Sequence, residues 1–313
     1  MDLGRVLRFL LDRQINGERA VLVTVCSVAG SSMRNPGTIM GVMEDGTYEG
    51  SLSGGCIENA VVAEALDVLK ADAPRVVRFG AGSPYLDIKL PCGGGMDLHF
   101  QPLKDCEFAQ ACLDAMNARE PFSVRLSDTG AEMVAEWHAP NFDVDRGTGI
   151  FGHWPAPKLE IVGHGAGVEA LVRIARNLGC ETSVLTPDER VAASLKTYTR
   201  VTRLVRSNQT NLLEGDPWTA IVFLFHDHDW ELDLIARALE LPHFYIGAMG
   251  GRKAHAMRSE GLIAKGMSAE QIGTIRAPIG VFHSSRDPQT LALSTLSEVI
   301  RTYQETDFEV LLG

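Results

Sequence analysis

The segment Gly163-His164-Gly165-Ala166-Gly167 constrains this chain more than any other. An apolar run from Leu159 to Val162 precedes it, and Val168 to Leu178 follows at helical spacing before Gly179. A strand, a glycine loop and a helix in that order turn backbone N–H groups toward the helix start, where the helix dipole favours a phosphate. The alternation continues downstream. Thr182 to Leu185, Val201 to Val205, Ala220 to Phe225 and Phe244 to Ile246 read as strands. Trp230 to Leu239 and Arg252 to Ile263 read as helices, and Asp287-Pro288 starts another that reaches Gln304, with a cap residue followed by proline. Such alternation gives a mostly parallel sheet covered on both faces, so residues 158–313 read as a Rossmann-like, doubly wound α/β domain.

In such a sheet ligands bind at the carboxyl ends of the strands. Gly163, Gly165 and Gly167 lie there, and so do His226, which follows the strand ending at Phe225, and Gly250 with Arg252, which open a helix after Ile246. Glycines beside Arg252 and Lys253 suit an anion site, and a simple loop with a solvated basic helix start is the alternative. Asp229, before Trp230, reads as a helix cap. A dinucleotide site wants two further things: a small residue at the third fingerprint position, and an acid at the tip of the second strand for the ribose. Val168 holds the first place, although Gly165, Gly167 and Ala170 offer another frame, and Thr186 holds the second, with Asp188 two residues on. The loop is therefore a better mark of fold than of NAD.

The first half reads differently. Val6, Leu7, Leu10 and Leu11 mark a helix, residues 20–28 a buried strand, and Ile39 to Val42 with Gly50 to Leu52 a hairpin about Asp45-Gly46. Ser53-Gly54-Gly55-Cys56 leads into a helix, Ile57 to Leu69. Strands are expected at Val76-Val77 and Met96 to Phe100, with Leu90-Pro91-Cys92-Gly93-Gly94-Gly95 between them. Phe108 to Met116 is helical in pattern, and Ser123 to Leu126 with Glu132 to Trp137 suggests one more hairpin. Residues 138–158 show no clear period and read as a linker. The division is an α+β domain over 1–140, a linker over 141–157 and the Rossmann-like domain over 158–313.

Cys56 and Cys92 each sit among glycines, which permit close approach of backbone to a ligand. A thiol at a helix N-terminus is poised for reaction, and a thiolate suits soft metals and sulfur chemistry. The six cysteines form no C-x-x-C pair, which argues against a zinc ribbon, and a buried structural role stands beside the reactive one for each thiol. The net charge of −11 and the lack of a basic run argue against nucleic acid. No run of about 18 apolar residues and no signal-peptide order at the start point to a cytoplasmic chain without a membrane segment.

Three segments carry a family resemblance. Gly30-Ser31-Ser32-Met33-Arg34-Asn35-Pro36-Gly37, then Gly50-Ser51-Leu52-Ser53-Gly54-Gly55-Cys56-Ile57-Glu58, then Cys92-Gly93-Gly94 resemble the N-terminal domain of the XdhC/CoxI family. Tyr245 to Arg252 and Ala277-Pro278-Ile279-Gly280 are similar to the Rossmann domain that completes such proteins. The resemblance implies an accessory factor that binds molybdenum cofactor (molybdopterin), assists its sulfuration by a cysteine desulfurase and hands it to a xanthine dehydrogenase-like molybdenum hydroxylase apoenzyme. Cys56 and Cys92 would then handle molybdenum or sulfur, with Gly54, Gly55 and Gly93 shaping their loops. The second-half loop would hold a pterin phosphate or the nucleotide of a dinucleotide form, as one wall of a site between the domains. The rival reading is an NAD(P)-dependent oxidoreductase or a nucleotide-binding regulator that uses the Rossmann-like domain. A maturation chaperone is favoured over a catalyst, and a homodimer follows from the prevalence of such assemblies.

Overall fold

A computed structural model describes residues 2–30, 34–83, 93–225, 230–282 and 285–312. The chain divides into two compact units, Met1–Pro155 and Ala156–Gly313.

The first unit is built on β1 (Ala20–Ala29). It pairs antiparallel with β2 (Ile39–Met43) on one side and β5 (Gly95–Leu103) on the other, and β3 (Tyr48–Glu49) and β4 (Arg75–Gly80) extend the sheet to the order β3-β2-β1-β5-β4. Side chains alternate across a strand. Ala20, Leu22 and Cys26 therefore join one core with α1 (Asp2–Gln14) and α3 (Glu107–Ala118), while Val21, Val23 and Val25 join another with α2 (Glu58–Ala71). Burial on both faces explains the unbroken apolar run of β1. The hairpin pairs Val42 with Tyr48 and Gly41 with Glu49, rather than using Gly50 to Leu52 as its second strand. Pairing starts straight after the turn, and Gly50, with φ of 108°, bends the chain away.

The segment expected as a linker, 141–157, is ordered differently. It holds β8 (Asn141–Asp143) and β9 (Thr148–His153), which with β6 (Phe122–Leu126) and β7 (Ala131–Val134) form the sheet β7-β6-β9-β8. Only Phe151 of β9 is buried outright, so the segment carries too few core residues to show a period in the sequence.

In the second unit β10 (Lys158–Gly163), β11 (Glu181–Thr186), β12 (Arg200–Arg203), β13 (Thr219–Leu224) and β14 (Tyr245–Ala248) form a parallel sheet, order β12-β11-β10-β13-β14. Helices α4 (Ala166–Asn177) and α9 (Pro288–Glu305) cover one face; α6 (Leu232–Ala238) and α7 (Arg252–Ala264) cover the other. This is the Rossmann-like architecture expected. The Asp287 carboxylate caps α9 by accepting from the Thr290 N–H at 2.8 Å. Short helices α5 (Glu189–Leu195), α8 (Ala269–Gly273) and α10 (Phe308–Leu312) were not foreseen, being shorter than the window in which a 3.6-residue period shows. Among the described residues no helix is long and apolar enough to cross a membrane.

Candidate functional site

The first unit brings its glycine loops together through strand pairing. Ala29 at the end of β1 lies opposite Gly95 at the start of β5, so the loops that follow and precede these strands abut. A β-carbon at Gly30 would lie 3.4 Å from the Gly94 Cα. The Arg34 Nε donates to the Ser51 carbonyl at 2.8 Å and ties the first loop to the second. Below them the Arg78 guanidinium pairs with Asp97, 8% exposed at its side chain, at 3.0 Å, and Ser27 donates to the same carboxylate. Cys92 lies outside the described residues, while Gly93 next to it has φ of 69° and, among the described residues, nothing within 4 Å of where a β-carbon would go.

Cys56 is exposed, on the loop that enters α2. Gly54 and Gly55 have φ of 78° and 110°, which explains the paired glycines there. The loop's amides converge on Glu58, which sequence reasoning did not single out. Its Oε1 accepts from the Leu52 and Ser53 N–H groups at 3.0 and 2.9 Å, and its Oε2 from the Gly55 and Ile57 N–H groups at 2.9 and 3.2 Å. Burial pushes this carboxyl up, but the hydrogen bonds from Ser53 and its neighbours outweigh that and hold it at about 2. The available signal was an acid two residues after the cysteine, at the first turn of a helix.

The second unit gathers its motifs at the carboxyl edge of the sheet. Gly163 ends β10 where a β-carbon would lie 2.4 Å from the Leu224 carbonyl oxygen of β13. Gly165, with φ of 79°, stands at the N-cap of α4, offers no side-chain cap and, among the described residues, has nothing within 4 Å of its β-carbon position. Gly167 lies against Leu291 of α9, with a β-carbon position 3.7 Å from its Cδ2. Val168 is fully buried in the core, so α4 packs through a side chain where the fingerprint would place glycine. The acid near the tip of β11 is engaged otherwise: Asp188 Oδ1 accepts from the Arg190 and Val191 N–H groups at 2.8 and 3.4 Å and caps α5. His226 and Asp229 lie outside the described residues.

Beside this loop runs a cleft of about 470 Å³, lined by Gly250, Gly251, Arg252, Ile279, Phe282 and Leu291 among others. Gly251 is the N-cap of α7, again without a side-chain cap, and Arg252 is exposed. One wall of the cleft is laid onto α9. Glu298 Oε2 accepts from the Tyr245 hydroxyl at 2.6 Å and from the Gly280 N–H at 2.7 Å, and Ser294 Oγ accepts from the Phe282 N–H at 2.7 Å. The other wall is pinned by Arg258, fully buried with Glu231, which pairs with that carboxylate at 2.9 Å and donates to the Met249 carbonyl at 2.8 Å. These bracing residues, far apart in sequence, carried no local signal.

Gly54, Gly55, Cys56 and Gly93 thus belong to the first unit, and Gly163, Gly165, Gly167, Gly250 and Arg252 to the second. The two groups differ in kind. Helix α2 has its entry amides taken by its own glutamate, whereas α4 and α7 start at glycines with no side-chain cap. Among the described residues there is no cluster of metal-ligating side chains. The first group offers a thiol and the second offers amides and a guanidinium.

A glycine-set thiol domain followed by a Rossmann unit is the arrangement of one family, and the chain belongs to it. Residues 14–80 match the XdhC and CoxI family, and residues 159–299 match the XdhC Rossmann domain. The chain is 33% identical over 315 residues to the molybdenum cofactor insertion chaperone PaoD of Escherichia coli (strain K12), covering 98% of this chain and 91% of that protein. It is 22% identical over 318 residues to a probable xanthine dehydrogenase subunit of Bacillus subtilis (strain 168), covering 91% and 93%. Its fold is that of a xanthine dehydrogenase crystal structure from Bacillus halodurans, with a TM-score of 0.78 at 23% identity over 98% of this chain and 97% of that one.

Proposed function

We propose that this chain carries molybdenum cofactor as cargo, assists its sulfuration and inserts it into a xanthine dehydrogenase-type molybdenum hydroxylase, as a maturation chaperone rather than a catalyst. The observation that carries the reading is the exposed Cys56 thiol, set among glycines in a chain aligned along nearly its whole length with a cofactor insertion chaperone. A thiol suits both a soft metal and the sulfur that a cysteine desulfurase delivers. Cys92 has the same role in this reading. The pterin phosphate, or the pyrophosphate of a dinucleotide form, is held by the amides at Gly165 and Gly251 and by Arg252. Gly163, Gly167 and Gly250 let backbone approach it, and His226 is a further candidate for holding it.

The rival NAD(P) reading is weakened by Asp188, whose Oδ1 caps α5 instead of standing free for a ribose. The chaperone is taken to work in the cytoplasm as a homodimer, and sedimentation of the purified protein checks that assembly.

The test is transfer. Protein loaded with cofactor is mixed with a hydroxylase apoenzyme, and the activity gained per molybdenum supplied is measured. Cys56→Ala is expected to lower activation while the protein melts as before. Arg252→Ala is expected to weaken cofactor retention about tenfold, the worth of one charged hydrogen bond. Equal activation by wild type and Cys56→Ala removes that thiol from the mechanism.

A further inference from the structure

The loop before α2 can be accounted for amide by amide. The Leu52, Ser53 and Gly55 N–H groups donate to Glu58. The Gly54 N–H donates to Ser51 Oγ at 3.1 Å and the Cys56 N–H to Ser53 Oγ at 3.0 Å. The Ile57 N–H is shared between Ser53 Oγ at 3.1 Å and Glu58 Oε2 at 3.2 Å. The hydroxyls are drawn in as well, Ser53 Oγ donating to Glu58 Oε2 at 2.7 Å and Ser51 Oγ to Oε1 at 3.2 Å. Every amide from Leu52 to Ile57 therefore ends on a side chain of the same segment, and four of the six end on one carboxylate, itself 4% exposed as a residue.

We propose that Glu58 is the positioning residue of this loop: its carboxylate is the template on which residues 51–57 are wound, and it fixes Cys56 at the surface. Leu52 and Ile57 anchor the two ends of this loop in the core, but between them stand two glycines at positive φ and no buried side chain to select one conformation. Convergence of N–H donors on one anion supplies that selection. The same convergence fills the place that a helix N-terminus ordinarily offers an incoming anion. The Cys56 loop thus presents a sulfur and no amide cradle, and an anionic part of the cargo must be bound by other groups. The effect on cargo rests on the reading of Cys56 given above; the role of Glu58 in the loop does not.

The experiment uses the full chain without cargo, in wild-type, Glu58→Gln and Ser53→Ala forms. It reads residue-resolved amide exchange and the rate at which iodoacetamide alkylates Cys56, followed on its own peptide. Glutamine turns a donor toward two of the N–H groups, so exchange at Leu52 or Gly55 is expected to rise about tenfold or more while core amides of α2 are unchanged. Loosening the loop that holds the thiol favours attack, so Cys56 alkylation is expected to rise by about threefold or more. Ser53→Ala leaves the Leu52 and Gly55 N–H groups on Glu58, so their exchange stays slow while that of Cys56 quickens. Unchanged exchange and alkylation in Glu58→Gln, or the same pattern in both variants, overturns the proposal. Should Glu58→Gln not fold, fast exchange at Gly55 in the wild-type chain overturns it alone. If Glu58→Gln loosens the loop while Cys56→Ala still holds and transfers cofactor, the positioning role stands and the chaperone role of the thiol fails.

Discussion

Replacing Gly163 with alanine is expected to destabilise the second unit by about 3 kcal/mol or more, the upper range for forcing atoms into a packed site. The added carbon would lie 2.4 Å from the Leu224 carbonyl oxygen and 2.7 Å from its carbonyl carbon. These are backbone atoms of the neighbouring strand, so no rotamer change relieves the contact. β10 and β13 would have to part where they pair, Gly163 opposite Leu224. Denaturant melts that follow the second unit check this. Gly165→Ala provides the contrast. Among the described residues nothing lies within 4 Å of its β-carbon position, and its cost is the backbone at φ 79° and ψ −173°, a region nearly confined to glycine, about 1–3 kcal/mol. It should leave the sheet intact and fill the space over α4, so cofactor retention falls further than stability does. A Gly163→Ala protein that melts like wild type would show that the two strands are not held this closely.

The second large effect is a pH dependence centred on Glu160. This carboxyl is wholly buried in the parallel sheet, with Ser183 and Ile221 as its partners in register on the flanking strands. The Ser183 hydroxyl donates to its Oε2, and Oε1 has no hydrogen-bond partner among the described residues. Burial, opposed by that one hydroxyl and by nearby positive charges, pushes the group up from 4.5 to about 7. The folded state therefore holds its proton more tightly than the unfolded chain does. Below pH 4.5 both states are protonated and Glu160 exacts no penalty. Stability is lost as pH rises from there to about 7, by about 3 kcal/mol in total, and the loss is complete above it. Glu160→Gln removes the titration while keeping an acceptor for Ser183. The difference in unfolding free energy between variant and wild type should thus grow in favour of glutamine from pH 4.5 to 7 and then level off. A difference that stays flat across that window would mean that Glu160 is hydrated in the folded protein.

The two sheets were legible in the sequence to different degrees. β10, α4, β13 and α9 announced themselves, because long buried elements print their period and because Asp287-Pro288 is a start signal that needs no tertiary help. β8 and β9 did not, since a half-buried three-residue strand and its partner bury too little to print one. The cysteine loops were visible because glycine marks positions where backbone must turn. What holds the candidate-site loops of either unit in place was not. Glu58 works through main-chain amides, Glu298 reaches Gly280 across 18 residues of sequence, and Arg258 meets Glu231 across 27. Asp188 is the instructive case: in the sequence it is only an acid two residues past the place where a ribose partner is missing, and in the structure it caps a short helix that the period rule does not reveal.

The most direct measurement of cargo is the content of the protein itself. The chain is purified from cells able to make molybdenum cofactor, and molybdenum and released pterin are determined per polypeptide. Both are predicted to be present in equal amount, and both should fall in Cys56→Ala and Arg252→Ala. A protein that holds neither, and binds NADH tightly instead, would contradict the chaperone reading and return the glycine loop at Gly163–Gly167 to a dinucleotide.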